Sequence, residues 1–162
     1  MSILLPVDVS APNLIALPYA IALAGALSTS IVVFHVAPCP PPLWMLETLH
    51  RLSDSIKKAG LTHHIRVREG DPAPTICTEA VLRDCSWIVL GAGLVPLGPV
   101  AGLVIGLSTV PTLAVSADGR LRLCSTHQAD QLCSLLHTRG TVTQQGGHVV
   151  LSLAHHPLER AI

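Results

Sequence analysis

Asp8 is the residue of this sequence best placed for chemistry, because it directly follows a short apolar run, residues 2–7. Such a run predicts a strand buried on both faces of a sheet, with Asp8 at its carboxyl end. A carboxylate there can accept hydrogen bonds from a ribose hydroxyl or an adenine amine, or it can cap the following helix. Neither Asp8 as an acid nor His35 as a general base has a supporting catalytic motif around it. The pattern therefore favours binding over catalysis.

The glycines Gly91, Gly93 and Gly98 follow another buried run, residues 87–90, and lead into an uncharged helix candidate, residues 98–108. Glycines that precede a helix expose backbone amides, which are the groups that bind phosphate. This segment is therefore a second candidate binding element.

The five cysteines and nine histidines raise the question of a metal site. Cys133 and His137 have i,i+4 spacing and would share one face of a helix. Two such ligands do not complete a tetrahedral site, and cysteine is commonly buried as a small hydrophobe. The cysteines are odd in number and form no CxxC pair, which argues against a disulfide framework. We expect no metal ligands, and a metal-binding or hydrolytic enzyme is the weakest interpretation.

The elements that must position these residues alternate between strand and helix. The predicted strands are residues 2–7, 31–36, 63–68, 87–90 and 111–115, and the predicted helices lie at about 12–27, 43–58, 73–84 and 98–108. Alternation of this kind predicts a parallel sheet with right-handed crossovers, which binds ligands at the carboxyl ends of its strands. We therefore expect the functional residues beside Asp8, Val36 and Gly91.

The composition limits the partners. The formal net charge is zero and the basic residues are scattered, which disfavours nucleic acid and anionic membranes. Two long stretches, 14–36 and 87–115, contain no charged side chain except the titratable His35. They are broken by proline and glycine, so they predict buried strands and packed helices, with no membrane insertion. No secretory signal is visible at the amino terminus, and we expect a cytoplasmic protein.

The pattern of predicted elements changes after Ser116. A turn at 117–120 precedes a short strand candidate (121–124), a helix candidate (126–137), a polar loop (140–147) and a last apolar strand (149–153). We predict a domain over residues 1–116 and a C-terminal extension, 117–162, that packs on this domain or on a partner subunit.

Several segments in the first 116 residues resemble, in the right order, the universal stress protein family. They are residues 4–10 (LLPVDVS), the first-helix residues Ala16, Ala20 and Leu23-Ala24, residues 34–36 (FHV), residues 70–73 (GDPA) and residues 88–91 (IVLG). The resemblance implies a five-stranded parallel sheet with helices on both faces. It also implies a homodimer formed through the fifth strand, taken as an apolar edge strand, and the neighbouring helix with Leu103, Val104 and Leu107.

The resemblance further implies a cleft for AMP or ATP. The residues it assigns to this cleft are Pro6, Val7, Asp8, Val36, Leu90, Gly91, Gly93, Gly98, Pro99 and Val100. In ATP-binding members the glycine loop is longer and ends in glycine followed by serine or threonine. Here Pro99 takes the place of the hydroxyl residue and removes a backbone N–H. We predict a non-catalytic, homodimeric binding and regulatory protein with a degenerate nucleotide cleft; the alternative is a functional AMP- or ATP-binding protein.

Overall fold

The computed structural model describes residues 1–8, 15–37, 42–93 and 97–156. The strands are β1 (Ser2–Pro6), β2 (Ser30–Val36), β3 (His63–Arg68), β4 (Cys85–Gly91), β5 (Thr112–Val115), β6 (Leu121–Leu123), β7 (Gly140–Gln145) and β8 (His148–Leu153). The helices are α1 (Leu17–Leu27), α2 (Leu43–Lys58), α3 (Pro72–Leu82), α4 (Pro99–Leu107) and α5 (Thr126–Leu135). No helix within these ranges is long and apolar enough to cross a membrane.

All strands join one 8-stranded sheet in the order β3-β2-β1-β4-β5-β6-β8-β7. The part from β3 to β5 is parallel, and β6, β8 and β7 continue it with antiparallel pairing. The predicted α/β fold class is confirmed. The strand number was underestimated, because the strands of the extension join the same sheet. The strand order reverses between β1 and β4, where such sheets form a crevice.

Both faces of the central strands are buried, which explains why their sequences are almost continuously apolar. In β1, Ile3 and Leu5 belong to the core under α1, α2 and α5, whereas Leu4 belongs to the core under α3 and α4. Each of these side chains is fully buried. Asp8 lies two residues beyond the end of this strand, so β1 determines where the backbone of Asp8 lies.

The strand β5 is an interior strand, which corrects the expectation that it forms an apolar edge. Its outer edge pairs antiparallel with β6, with Val115 opposite Leu121. A tight turn makes this possible: Gly119 has a φ of 82° and donates its N–H to the carbonyl of Ser116 at 2.9 Å. A hairpin with so short a loop costs little closure entropy, so the extension covers the edge that the parallel sheet would leave open.

A buried carboxylate ties β3 to α3. The side chain of Glu79 is 1% exposed and accepts from Arg68 Nε at 2.8 Å and from Arg83 Nε at 3.0 Å. A buried charge is tolerated when it is paired and hydrogen-bonded in this way. The Arg68 charge at the carboxyl end of β3 is therefore directed toward Glu79.

Arg122 is a buried cation in the extension. It is 4% exposed, and its hydrogen-bond partners are neutral: Gln145 Oε1 at 3.1 Å, His148 Nε2 at 2.9 Å and Ser116 Oγ at 3.4 Å. Because Arg122 donates to Nε2, His148 must keep that nitrogen unprotonated. Burial, and then the Arg122 charge, lower the pKa of His148 below its usual value.

We expect this arrangement to make stability depend on pH. Because the pKa of His148 is lower in the folded than in the unfolded chain, the unfolded chain takes up the proton more readily, and stability falls as pH drops below about 6.5. Burial also lowers the pKa of His63 and adds to the effect. Thermal melts should show a lower midpoint at about pH 5.5 than at about pH 7.5.

The variant His148→Gln should make this difference smaller, whereas the exposed His50→Gln should leave it unchanged. An equal pH dependence in His148→Gln and the unchanged chain would show that the contact with Arg122 does not contribute.

Candidate functional site

A cavity of about 330 Å³ lies at the carboxyl ends of β1, β2 and β4, next to the first turns of α3 and α4. It is lined by Pro6, Val7, Asp8, Phe34, Val36, Pro72, Ile76, Leu90, Gly91, Ala92, Gly93, Gly98, Pro99, Val100 and Ala101. Every residue that the sequence assigned to the cleft is in this set. The structure thus brings together residues from three separate strand ends and from the segment that contains Gly91, Gly93 and Gly98, here called the glycine segment.

Sequence reasoning missed the lining residues Phe34, Pro72, Ile76, Ala92 and Ala101. Phe34 precedes Val36 by two positions on β2 and therefore points to the same face, a signal that was available. Pro72 and Ile76 have i,i+4 spacing on α3 and share one face of that helix. That this face meets the cavity depends on how α3 packs, which no local pattern gives.

The cavity walls are mostly apolar. Phe34 is fully buried, and Val7, Ile76 and Leu90 are buried with only small exposed fractions. Among the described residues that line the cavity, Asp8 alone carries a charged side chain, and it is exposed. An apolar pocket with one polar group at its mouth suits a flat, weakly polar ring with a hydrogen-bonding substituent.

The end of β1 is fixed by two hydrogen bonds to β2. The buried His35 donates from Nδ1 to the carbonyl oxygen of Val7 at 2.6 Å, and the Val7 N–H donates to the carbonyl of Phe34 at 2.8 Å. His35 therefore positions the backbone immediately before Asp8. The hydrogen bond to a main-chain carbonyl satisfies one ring nitrogen of this buried histidine, and His35 is not among the described residues that line the cavity.

A hydrogen bond joins the two described ends of the glycine segment. The N–H of Gly98 donates to the carbonyl oxygen of Ala92 at 2.5 Å, and Ala92 in turn donates to the carbonyl of Val115 at 2.8 Å. A Cβ at Gly98 would lie 2.8 Å from that Ala92 oxygen, and Gly93 has a φ of 89°. Residues 94–96 lie outside the described part of the chain. Glycine is thus required at 93 for its backbone angle and at 98 for close approach.

Cys133 and His137, the pair that was considered for metal binding, do not share a helix. The helix α5 ends at Leu135, so His137 lies beyond it with a φ of 50°, and the expected shared helix face does not form. Burial, and then Asp130, raise the pKa of the Cys133 thiol. Within the described residues, no group of three or more His, Cys, Asp or Glu side chains is arranged to hold a metal ion.

The fold and the cavity together define a doubly wound α/β protein with a cavity where the strand order reverses. The profile described as "Universal stress protein family" matches residues 1–116, and the chain belongs to this family. No curated protein matches the chain.

Solved structures agree on the fold. A universal stress protein from Archaeoglobus fulgidus has a TM-score of 0.62 and 24% identity, covering 70% of this chain and 97% of that one. A structure of the Archaeoglobus fulgidus protein with dAMP has the same score and identity, covering 70% and 96%. An Arabidopsis thaliana family protein with AMP bound has a TM-score of 0.59 and 18% identity, covering 80% and 99%. At these identities the likeness is one of fold.

Proposed function

We propose that this chain is a non-catalytic binding and regulatory protein whose cleft takes an adenine-containing ligand of low charge. The observation that carries the proposal is the cavity of about 330 Å³ around Asp8, which gathers all the residues assigned to the cleft from the sequence. Its volume lies near the lower end of the range for ligand pockets, about 300–1,000 Å³. Relatives of the same fold have been solved with AMP and dAMP, which supports an adenine compound.

The lining chemistry supports binding without turnover. Nucleophilic catalysis needs a nucleophile within hydrogen-bond reach of a base, and acid–base catalysis needs a titratable group at the reacting atom. In the described lining Asp8 is the one titratable side chain, and the backbone before it is held by His35. Asp8 is therefore proposed to accept a hydrogen bond from the ligand, and the apolar walls to hold the ring.

The test is calorimetric titration of the purified chain with adenosine, AMP, cyclic AMP, ATP and NAD. We expect at least one adenine compound to bind, and Asp8→Ala to weaken it by about tenfold, the loss of one charge-assisted hydrogen bond. Asp130→Ala, an exposed carboxylate on α5, is the matched control and should bind like the unchanged chain. If none of these ligands binds, the ligand-binding proposal is overturned and action through protein contacts alone is favoured.

We also propose that the protein is a homodimer in which α4 supplies the contact. This helix carries no charged residue, and Val100, Leu103 and Leu107 are 38%, 54% and 57% exposed. Val104, which the sequence also assigned to this face, is fully buried in the core and cannot contribute to the contact. Apolar side chains exposed together on one helix are typical of an interface. The β5 part of the predicted interface is occupied by β6, so the helix is the part that remains open. A protein partner for the extension and a cytoplasmic location remain predictions.

Sedimentation velocity tests the dimer. We expect a dimer that Leu103→Ser weakens by about tenfold or more, because a buried leucine contributes about 1.5–3 kcal/mol. Leu43→Ser is the control, since Leu43 is 72% exposed on α2, which packs on the other face of the sheet. A monomer at all concentrations, or equal dissociation in both variants, would contradict an interface on α4.

A further inference from the structure

Resting on the proposed function, we infer that the cleft selects a neutral adenine nucleoside over its phosphate esters. The same cavity that offers apolar walls to a base offers little to a phosphate. Three independent features lead to this inference: the charges around the cavity, the hydrogen bonds of the glycine segment, and the residue at the first position of α4.

The charges around the cavity disfavour an anion. Asp8 is negative, and the described lining contains no Lys, Arg or His. In the sequence, the segments 9–14, 38–41 and 94–96, which follow β1, β2 and β4 and lie outside the described residues, contain no Lys, Arg or His either. A phosphate placed beside Asp8 would meet a like charge, and the described lining offers no Lys, Arg or His to offset it.

The pairing of β2 with β3 places two arginines opposite lining residues, Arg66 opposite Phe34 and Arg68 opposite Val36. Arg66 lines a separate cavity at the amino ends of the strands. Arg68 is already engaged. Its Nε donates to the buried Glu79 carboxylate at 2.8 Å. Turning Arg68 toward a phosphate would break this contact and leave a buried carboxylate with less compensation, which is strongly unfavourable.

Two of the backbone N–H groups at the start of α4 cannot donate to a phosphate. A helix N-terminus binds phosphate through backbone N–H groups that have no partner within the helix. Here the N–H of Gly98, the residue before α4, donates to the Ala92 carbonyl at 2.5 Å, and Pro99, the first residue of α4, has no N–H. Two of the donors that would face a phosphate at this end are therefore lost, while the apolar walls for the base are intact.

The experiment compares adenosine, AMP and ATP by calorimetry on the full-length chain at low and high salt. We expect adenosine to bind about tenfold or more tightly than AMP, and AMP more tightly than ATP. High salt should make the difference in affinity between adenosine and the nucleotides smaller, because it screens the repulsion between Asp8 and the phosphate.

Two variants separate the causes. Asp8→Asn should raise the affinity for AMP relative to adenosine, because it removes the like charge and retains hydrogen bonding. Pro99→Ser should do the same by restoring an N–H and a hydroxyl, and Asp130→Asn is the control in which the ratio stays unchanged.

The outcomes distinguish this inference from the proposed function. AMP or ATP binding as tightly as adenosine would overturn the inference and leave the proposed function in place. A panel in which neither adenosine nor any nucleotide binds would overturn both. Preference for adenosine that neither Asp8→Asn nor Pro99→Ser reduces would show that charge and amide donors do not set the selectivity, and would overturn the inference as well.

Discussion

Truncation of the chain after Ser116 is expected to lower the thermal midpoint by about 10 °C or more and to cause self-association. The extension supplies Leu121, Leu123, Leu132 and Leu151 to the same core that contains β1 and α1, and each of these leucines is fully buried. Removing them exposes the apolar side chains they cover and uncovers the outer edge of β5. An unpaired strand edge beside exposed apolar surface pairs readily with another chain.

Circular dichroism melts and light scattering after size-exclusion chromatography measure both effects. A milder test keeps the chain length: Leu132→Ala on α5 should cost about 2–5 kcal/mol, whereas its exposed neighbour Gln131→Ala should change stability by about 0.5 kcal/mol or less. A truncated chain that melts at the same temperature and keeps the oligomeric state of the full chain would contradict this assignment. The extension would then be an appendage that the domain does not need.

The cleft was predictable from the sequence because its geometry follows from topology. Asp8, Val36 and Gly91 end consecutive or neighbouring parallel strands, and the carboxyl ends of parallel strands necessarily meet at one edge of the sheet. Their apolar runs identify the strands without any knowledge of packing. The helix residues of the lining, such as Ile76, depend on the docking angle of α3, which a single sequence does not encode locally.

The extension was harder to interpret for a physical reason. The segment that forms β7 is polar and was predicted as a loop, because Thr141, Thr143 and Gln145 give no apolar alternation. It becomes a strand because β8 pairs with it along its whole length, from Gly140 opposite Leu153 to Gln145 opposite His148. Tertiary pairing outweighs propensity in strands of this kind. The same applies to β5. Its own sequence gives no sign that β6, which comes later in the chain, pairs with it and makes it an interior strand.

Gly98→Ala is expected to damage the cleft more than any substitution of similar size. The added Cβ would lie 2.8 Å from the Ala92 carbonyl oxygen, a main-chain atom that cannot rotate away, and Gly98 itself donates its N–H to that oxygen. The glycine segment must therefore shift, and overpacking of this kind costs about 1–3 kcal/mol. Because Gly91, Gly93 and Pro99 line the cavity, the shift should weaken adenosine binding by about tenfold or more.

Gly102→Ala is the matched control within α4. The Cβ at 102 meets only the Leu97 side chain, at 3.7 Å, which is an ordinary contact, and alanine favours a helix over glycine by about 1 kcal/mol. This variant should be as stable as the unchanged chain or more stable, with unaltered adenosine affinity. Calorimetric titration and denaturant unfolding of both variants measure the two quantities. Equal behaviour of Gly98→Ala and Gly102→Ala would mean that the contact between Gly98 and Ala92 does not shape the cleft. In that case the selectivity against phosphate would have to come from Asp8 and Pro99 alone.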